Sequence, residues 1–204
     1  MTELGLHLED MQIERALTYL ELLQKWNKVY NLTSVRDPLA MLSQHLLDSF
    51  SVLRPIPQRA PAARRILDVG SGAGLPGVVL ALACPELEVT CLDAVAKKTA
   101  FVQQVASTLG LGNLLARHAR VETMSDMPGW DLICSRAFAN LADFVAGSAQ
   151  LLAPGGVWMA MKGQLPTTEI EDLPESVEVF HVEHLQVPFL DAQRCLIWMR
   201  KTPA

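Results

Sequence analysis

The chain has 204 residues, half of them hydrophobic, and its 17 basic and 22 acidic side chains leave a formal charge of −5. That length suits one substantial core with a small appendage, and no apolar run approaches the roughly 20 residues of a membrane span. The opening MTELGLHLED carries acids where a secretion signal carries bases, so a cytoplasmic protein with no membrane partner is expected, and the acidic balance argues mildly against nucleic acid.

In residues 9–30, Ile13, Leu17, Leu20, Leu23 and Tyr30 recur at helical spacing behind a cluster of acids, which the helix dipole favours. One amphipathic helix is predicted, with Trp26 and Tyr30 on a stripe that docks against the rest of the chain. Asn31-Leu32-Thr33-Ser34 breaks the pattern, and Asp37-Pro38 supplies an N-cap and a first-turn proline for a second helix carrying Leu42, His45, Leu46, Ser49 and Leu53. Residues 54–65, with prolines at 55, 57 and 61 and no apolar periodicity, read as a linker. The expected organisation is a helical extension with its linker over 1–63 and a larger domain over 64–204.

From residue 65 strands and helices alternate. Strands are predicted at 65–69, 89–93, 114–116, 131–135 and 157–161, helices near 75–83, 96–109 and 140–152, and a short turn near 120–126. Short apolar runs separated by helices require a parallel sheet covered on both faces. Residues 177–187 and 194–200 have no long helix between them, which places an antiparallel pair at one edge. The fold class is therefore α/β, a mostly parallel seven-stranded Rossmann-like sheet. Cysteines 84, 91, 134 and 195 form no CxxC pair, so they read as small core residues, with neither disulfides nor a metal site.

The first strand runs into LDVGSGAGLPG, residues 67–77. A dinucleotide fingerprint needs its third glycine at the sixth motif position, and counting from Gly70 that position is Leu75. A phosphate loop is excluded more firmly, because GKS and GKT are absent and Asp68 would repel a phosphate. Asp68 could instead attract an ammonium group such as that of S-adenosyl-L-methionine, a ligand without phosphate, over a loop made bare by Gly70, Gly72 and Gly74. Asp93, 23 residues after Gly70, ends the second strand, where a carboxylate accepts hydrogen bonds from ribose hydroxyls of either cofactor. Glu122 could receive an adenine amino group, with Val121 as the apolar face beside it.

The segment after the fourth strand is informative through what it lacks. It reads Cys134-Ser135-Arg136-Ala137-Phe138, with no Asn-Pro-Pro-Tyr to take up an exocyclic amine and no base beside Cys134 to make it a nucleophile. An acceptor with a free lone pair, such as guanine N7, needs neither device, and orientation alone supplies about 7–11 kcal/mol. Bases stand where such an acceptor could be met: Lys97 and Lys98 follow strand two, Arg120 strand three, Arg136 strand four and Lys162 strand five. In a parallel sheet these positions share one rim, so a net acidic chain can still offer phosphates a local positive face.

The chain resembles, from end to end, the ribosomal small-subunit methyltransferase G family, also called glucose-inhibited division protein B. The resemblance is carried by Trp26-Asn27-Lys28-Val29-Tyr30-Asn31-Leu32-Thr33, Arg36-Asp37-Pro38, His45-Leu46-Leu47-Asp48-Ser49, DVGSGAGLPG from Asp68, Asp93-Ala94 with Lys97-Lys98, Arg120-Val121-Glu122, Ser135-Arg136-Ala137-Phe138 and Met161-Lys162-Gly163. It implies a class I S-adenosyl-L-methionine-dependent methyltransferase fold and methyl transfer to N7 of a guanine in 16S ribosomal RNA, guanine 527 in the 530 loop. It further implies cofactor contacts at Gly70, Leu75, Val121, Glu122 and Arg136, the ribose end at Asp93 and Ala94, and RNA or active-site contacts at Lys97, Arg120, Arg136 and Lys162. Arg136 is the expected catalytic residue, holding guanine O6 or a flanking phosphate. The expected partner is 16S RNA or the small ribosomal subunit, met by a monomer. His45 reads as structural, and Phe138 as either core or a stacking surface for the base. A nicotinamide oxidoreductase and a non-catalytic S-adenosylmethionine-binding protein remain as alternatives, the first opposed by Leu75.

Overall fold

A computed structural model describes residues 2–125, 129–136 and 138–203. Ala137 of the sequence motif and residue 126 of the predicted turn lie outside the described residues. Helix α1 (Asp10–Tyr30) starts from a capping box in which Glu9 and Gln12 exchange side-chain and backbone bonds, and it stops at Asn31, whose φ of 49° is left-handed. Its buried stripe is Ala16, Tyr19, Leu20, Leu23 and Asn27, so of the predicted stripe Leu20 and Leu23 are buried, whereas Ile13, Leu17 and Tyr30 are 38%, 51% and 43% exposed. Apolarity alone misaligned the face, because two polar-tipped side chains satisfy themselves inside it. Tyr19 finds a backbone carbonyl, and Asn27 accepts from the Thr33 N–H and donates to the Val35 carbonyl. Trp26 docks as expected, its ring 5.5 Å from that of Phe101.

The predicted second helix begins at α2 (Pro38–Met41), capped by Asp37, whose side chain accepts from the Ala40 N–H at 2.7 Å. It widens into a π-helical segment, Leu42–Leu47, before α3 (Asp48–Phe50). Such widenings are frequent at functional sites. The expected linker contains a short helix, α4 (Pro55–Arg59), started by Pro55 and anchored by buried Ile56. Periodicity could not reveal so short a turn.

Seven strands form one sheet in the order β3-β2-β1-β4-β5-β7-β6. They are β1 (Arg65–Val69), β2 (Glu88–Asp93), β3 (Leu114–His118), β4 (Trp130–Ser135), β5 (Leu152–Lys162), β6 (Val177–Leu185) and β7 (Arg194–Lys201). The first five run parallel, and β7 lies antiparallel between β5 and β6. β5 begins earlier than predicted because the Pro154-Gly155 segment is absorbed as a register shift opposite Trp130 and Leu132. The crossover helices are α5 (Gly77–Ala83), α6 (Ala96–Leu109) and α7 (Leu141–Ser148), and a short α8 (Thr167–Glu171), which the sequence did not reveal, follows β5. Pro76 is the N-cap of α5, after a cis Leu75–Pro76 bond.

α5 and α6 lie on one face of the sheet, with α1 packed against them, and α7 lies on the other. The first of these cores runs without a break from Tyr19 and Leu23 through Leu80 to Trp198, so the extension and the sheet share it across residue 63. Cys91, Cys134 and Cys195 are buried and all four cysteines are free thiols.

Candidate active site

The strand ends of β1, β2 and β3 converge on a cleft of about 130 Å³ lined by Gly70, Asp93, Ala94, Arg120, Val121 and Glu122, with Phe138 at its side. The glycine loop takes its shape from left-handed backbone at Gly70, Gly72 and Gly74, with φ of 68°, 58° and 87°. At Gly74 a Cβ would also lie 2.5 Å from the Val78 side chain. The Gly72 N–H donates to Asp93 Oδ2 at 2.9 Å, and the Val95 N–H donates to Asp93 Oδ1 at 2.9 Å. Each carboxylate oxygen keeps a second lone pair. Asp93 is thus rigidly aimed and still able to accept from a ligand. Val69, Leu92 and Val121 supply an apolar wall, and Glu122 an exposed carboxylate, so the lining suits a flat, polar-edged group carrying hydroxyls.

Two expected cofactor residues sit beneath the loop instead of in the cleft. Asp68 is fully buried, and its Oδ2 accepts from the Gly77 N–H at 2.9 Å. Burial pushes its carboxyl up to about 7, opposed by that hydrogen bond and by the charge of Arg136. A Cβ on Gly77 would lie 2.4 Å from Cys91 Sγ and 3.0 Å from Asp68 Oδ2, so glycine is what lets the helix start close over the acid. Leu75 is buried in the core. The strand's alternation explains Asp68: between Leu67 and Val69 at the end of a strand covered on both faces, it points into a layer.

On the other side of the segment after β4 lies a cavity of about 300 Å³ lined by Gln44, His45, Asp48, Arg136, Lys162 and Arg194, among others. Arg136 donates to the Gln44 carbonyl at 2.9 Å and to Asp48 Oδ2 at 3.3 Å, while Arg194 Nε donates to Asp48 Oδ1 at 3.0 Å. One buried carboxylate therefore holds two guanidinium groups. Lys162 Nζ donates to Glu169 at 2.7 Å and to the carbonyls of Phe138 and Ala139, and Glu169 also accepts from the Leu141 N–H. Lys162 thereby ties down the segment between β4 and α7. Counting these groups alone, three cations face two carboxylates, which leaves the cavity receptive to one anion.

His45 is hydrogen bonded through Nε2 to Thr33 Oγ1 at 2.9 Å. Burial, helped by the Arg136 charge, holds its imidazole down at about 4, so the ring is neutral near pH 7. Lys97 is exposed in the first turn of α6, Lys98 Nζ lies 3.6 Å from Asp93, and Arg120 is exposed at the cleft. Phe138 packs on Phe144 with ring centroids 5.3 Å apart while lining the cleft, so it serves both core and site. Sequence reasoning missed Gln44, Asp48 and Arg194 as site residues. Asp48 stood inside the HLLDS motif, but only the fold brings it to β4 and β7. Among the described residues no group of three or more histidine, cysteine, aspartate or glutamate side chains could hold a metal ion, and no helix is long and apolar enough to cross a membrane.

Residues 12–197 match the family model described as rRNA small subunit methyltransferase G. A protein named ribosomal RNA small subunit methyltransferase G from Acidovorax sp. (strain JS42) is 58% identical over 206 residues, which span 97% of this chain and 90% of the relative. Solved structures share the fold at low identity. TrmN from Thermus thermophilus gives a TM-score of 0.60 at 19% identity, over 79% of this chain and 53% of that one. An S-adenosylmethionine-dependent methyltransferase from Thiobacillus denitrificans, in complex with S-adenosyl-L-homocysteine, gives 0.54 at 16% identity, over 80% and 73% of the two chains.

Proposed function

Because the chain belongs to the rRNA small subunit methyltransferase G family, we propose that it transfers the methyl group of S-adenosyl-L-methionine to N7 of a guanine in 16S ribosomal RNA. The observation that carries this reading is the adjacency of two unlike sites across the segment after β4: a cleft with an apolar wall and an aimed carboxylate, and a cavity rimmed by arginines. The cleft fits the cofactor. Asp93 accepts from the ribose hydroxyls, Val121 covers the adenine with Glu122 at its amino edge, and the loop at Gly70, Gly72 and Gly74 leaves room for close backbone approach. When bound, the cofactor supplies an electrophilic methyl on a sulfonium.

Ring nitrogen N7 carries a lone pair and no proton, so the protein has to orient the base and need not deprotonate it. Two features support such an acceptor. The neutral His45 is already engaged with Thr33. The Cys134 thiol is fully buried and pushed well up by that burial, which removes it as a nucleophile for pyrimidine carbon. Arg136, with Arg194 beside it, holds guanine O6 or a flanking phosphate and must leave N7 clear, so the two-point O6/N7 grip of DNA readers does not apply. Lys97, Lys98 and Arg120 meet neighbouring phosphates around the cleft, while Lys162 keeps the segment between β4 and α7 in place. The target base enters unpaired or flipped out, as access to a ring edge in folded RNA requires. The enzyme acts in the cytoplasm as a monomer on the RNA or the small subunit, and position 527 is the target that the family resemblance supports.

Labelled methyl transfer to small subunits from cells lacking the activity tests the reading. Incorporation into 16S RNA at a single guanine is expected. Binding of the cofactor without incorporation into any RNA would favour the non-catalytic alternative.

A further inference from the structure

Two side chains on α1 reach opposite ends of the unit formed by the glycine loop and α5. Tyr19, fully buried, donates its hydroxyl to the Ala73 carbonyl at 2.9 Å, between Gly72 and Gly74. Gln12 Nε2 donates to the carbonyls of Leu82 and Ala83 at 3.3 and 3.1 Å, at the far end of α5. The step from Gln12 to Tyr19 advances about 10.5 Å along a helix axis, which matches the seven residues of α5. α1 therefore lies antiparallel along α5 and is fastened to it at both ends.

We propose that α1 acts as a splint for the cofactor loop and that Tyr19 is its positioning residue, an inference that rests on the cleft being the S-adenosyl-L-methionine site. The Gly72 N–H holds Asp93, and the Gly74 N–H, in the same peptide as the Ala73 carbonyl, donates to the Ser71 carbonyl, so the turn that carries Ala73 is committed to the shape of the cleft. Both glycines have left-handed φ, and glycine turns between backbone regions at little cost. The start of the loop is tied to β2 by the Ser71 N–H, which donates to the Leu92 carbonyl, and the Ala73 carbonyl is where α1 takes hold of the turn. Burial pushes the Tyr19 phenol far above its ordinary range, so it remains a donor throughout the working pH. Its ring is held 6.1 Å from Phe101 on α6, so the hydroxyl is aimed by packing. Removing the hydroxyl leaves a buried carbonyl without this donor, and the loop relieves it by rotating, which moves Gly72 and loosens Asp93.

Calorimetric titration with S-adenosyl-L-homocysteine, paired with steady-state methyl transfer, tests this. Tyr19→Phe is expected to bind the ligand about tenfold more weakly and to raise KM for the methyl donor by the same factor, with kcat and KM for RNA changed less than about twofold. Gln12→Leu, which frees only the distant end of α5, is expected to weaken binding about twofold. Leu20→Ala, buried on the same helix away from the loop, lowers thermal stability and is expected to leave affinity unchanged below its melting temperature. Equal affinity of Tyr19→Phe and wild type, or an equal loss in Leu20→Ala, overturns the splint while the cofactor reading stands. Absence of wild-type binding overturns both.

Discussion

The cleft over β1, β2 and β3 takes its residues from three successive strand ends, between positions 69 and 122 apart from Phe138. The cavity beside it gathers Gln44, Asp48, Arg136, Lys162 and Arg194 from four separate parts of the chain. The first is held by backbone turns and one aimed carboxylate, the second by ion pairs between distant elements. Replacements in the cleft should therefore act locally on the cofactor, whereas replacements in the cavity should act on transfer and, at Asp48, on the joining of the extension to the sheet.

The largest expected effect separates the two sites. Arg136→Ala should lower single-turnover methyl transfer by about 100-fold or more while S-adenosyl-L-homocysteine binding changes less than about threefold. An equal loss in both quantities would merge the sites and break the comparison. Asp93→Ala should weaken S-adenosyl-L-homocysteine by about 30-fold in calorimetry, since charge-assisted bonds to the ribose and the anchor of Gly72 go together. Asp48→Ala should reduce transfer about tenfold and cost about 2 kcal/mol in urea unfolding, because Arg136 and Arg194 lose the carboxylate they share. Arg120→Ala should raise KM for RNA only a few-fold and reduce the salt slope of RNA binding by about one.

A separate effect, on stability, concerns pH. Asp68 has a folded value near 7, above that of an exposed carboxylate, so the native state holds its proton more tightly than the unfolded chain. This contribution favours the native state below about pH 4 and is lost as the pH rises through 7. Asp68→Asn should accordingly gain on wild type between those limits, read as the difference in unfolding free energy at pH 4.5 and 7.5. A difference that shrinks with rising pH would contradict the burial argument.

The same contrast explains what the sequence disclosed. Turn chemistry is local, so Gly70, Gly72, Asp93, Val121 and Glu122 are legible at strand ends from the sequence alone, and the parallel strands follow from their unbroken apolar runs. The limits are also physical. Leu75 and Asp68 belong to the same motif as the cleft, but strand alternation and helix entry turn both inward, which a motif read as a string does not encode. On α1 the polar tips of Tyr19 and Asn27 disguised the buried face. Arg194 and Asp48 stand 146 positions apart, and the antiparallel placement of β7 between β5 and β6 helps bring them together. Lys162 was legible as a strand-end base, but its bond to Glu169 depends on α8, too short to leave a periodic pattern.

The proposed reaction turns on N7 as a lone-pair acceptor that is oriented without being deprotonated. A small-subunit RNA carrying 7-deazaguanosine at the methylated position, with every other atom of that base retained, tests it most directly. The expected result is binding comparable to unmodified RNA with no labelled methyl incorporated. Continued incorporation at that nucleotide would show that another atom receives the methyl group.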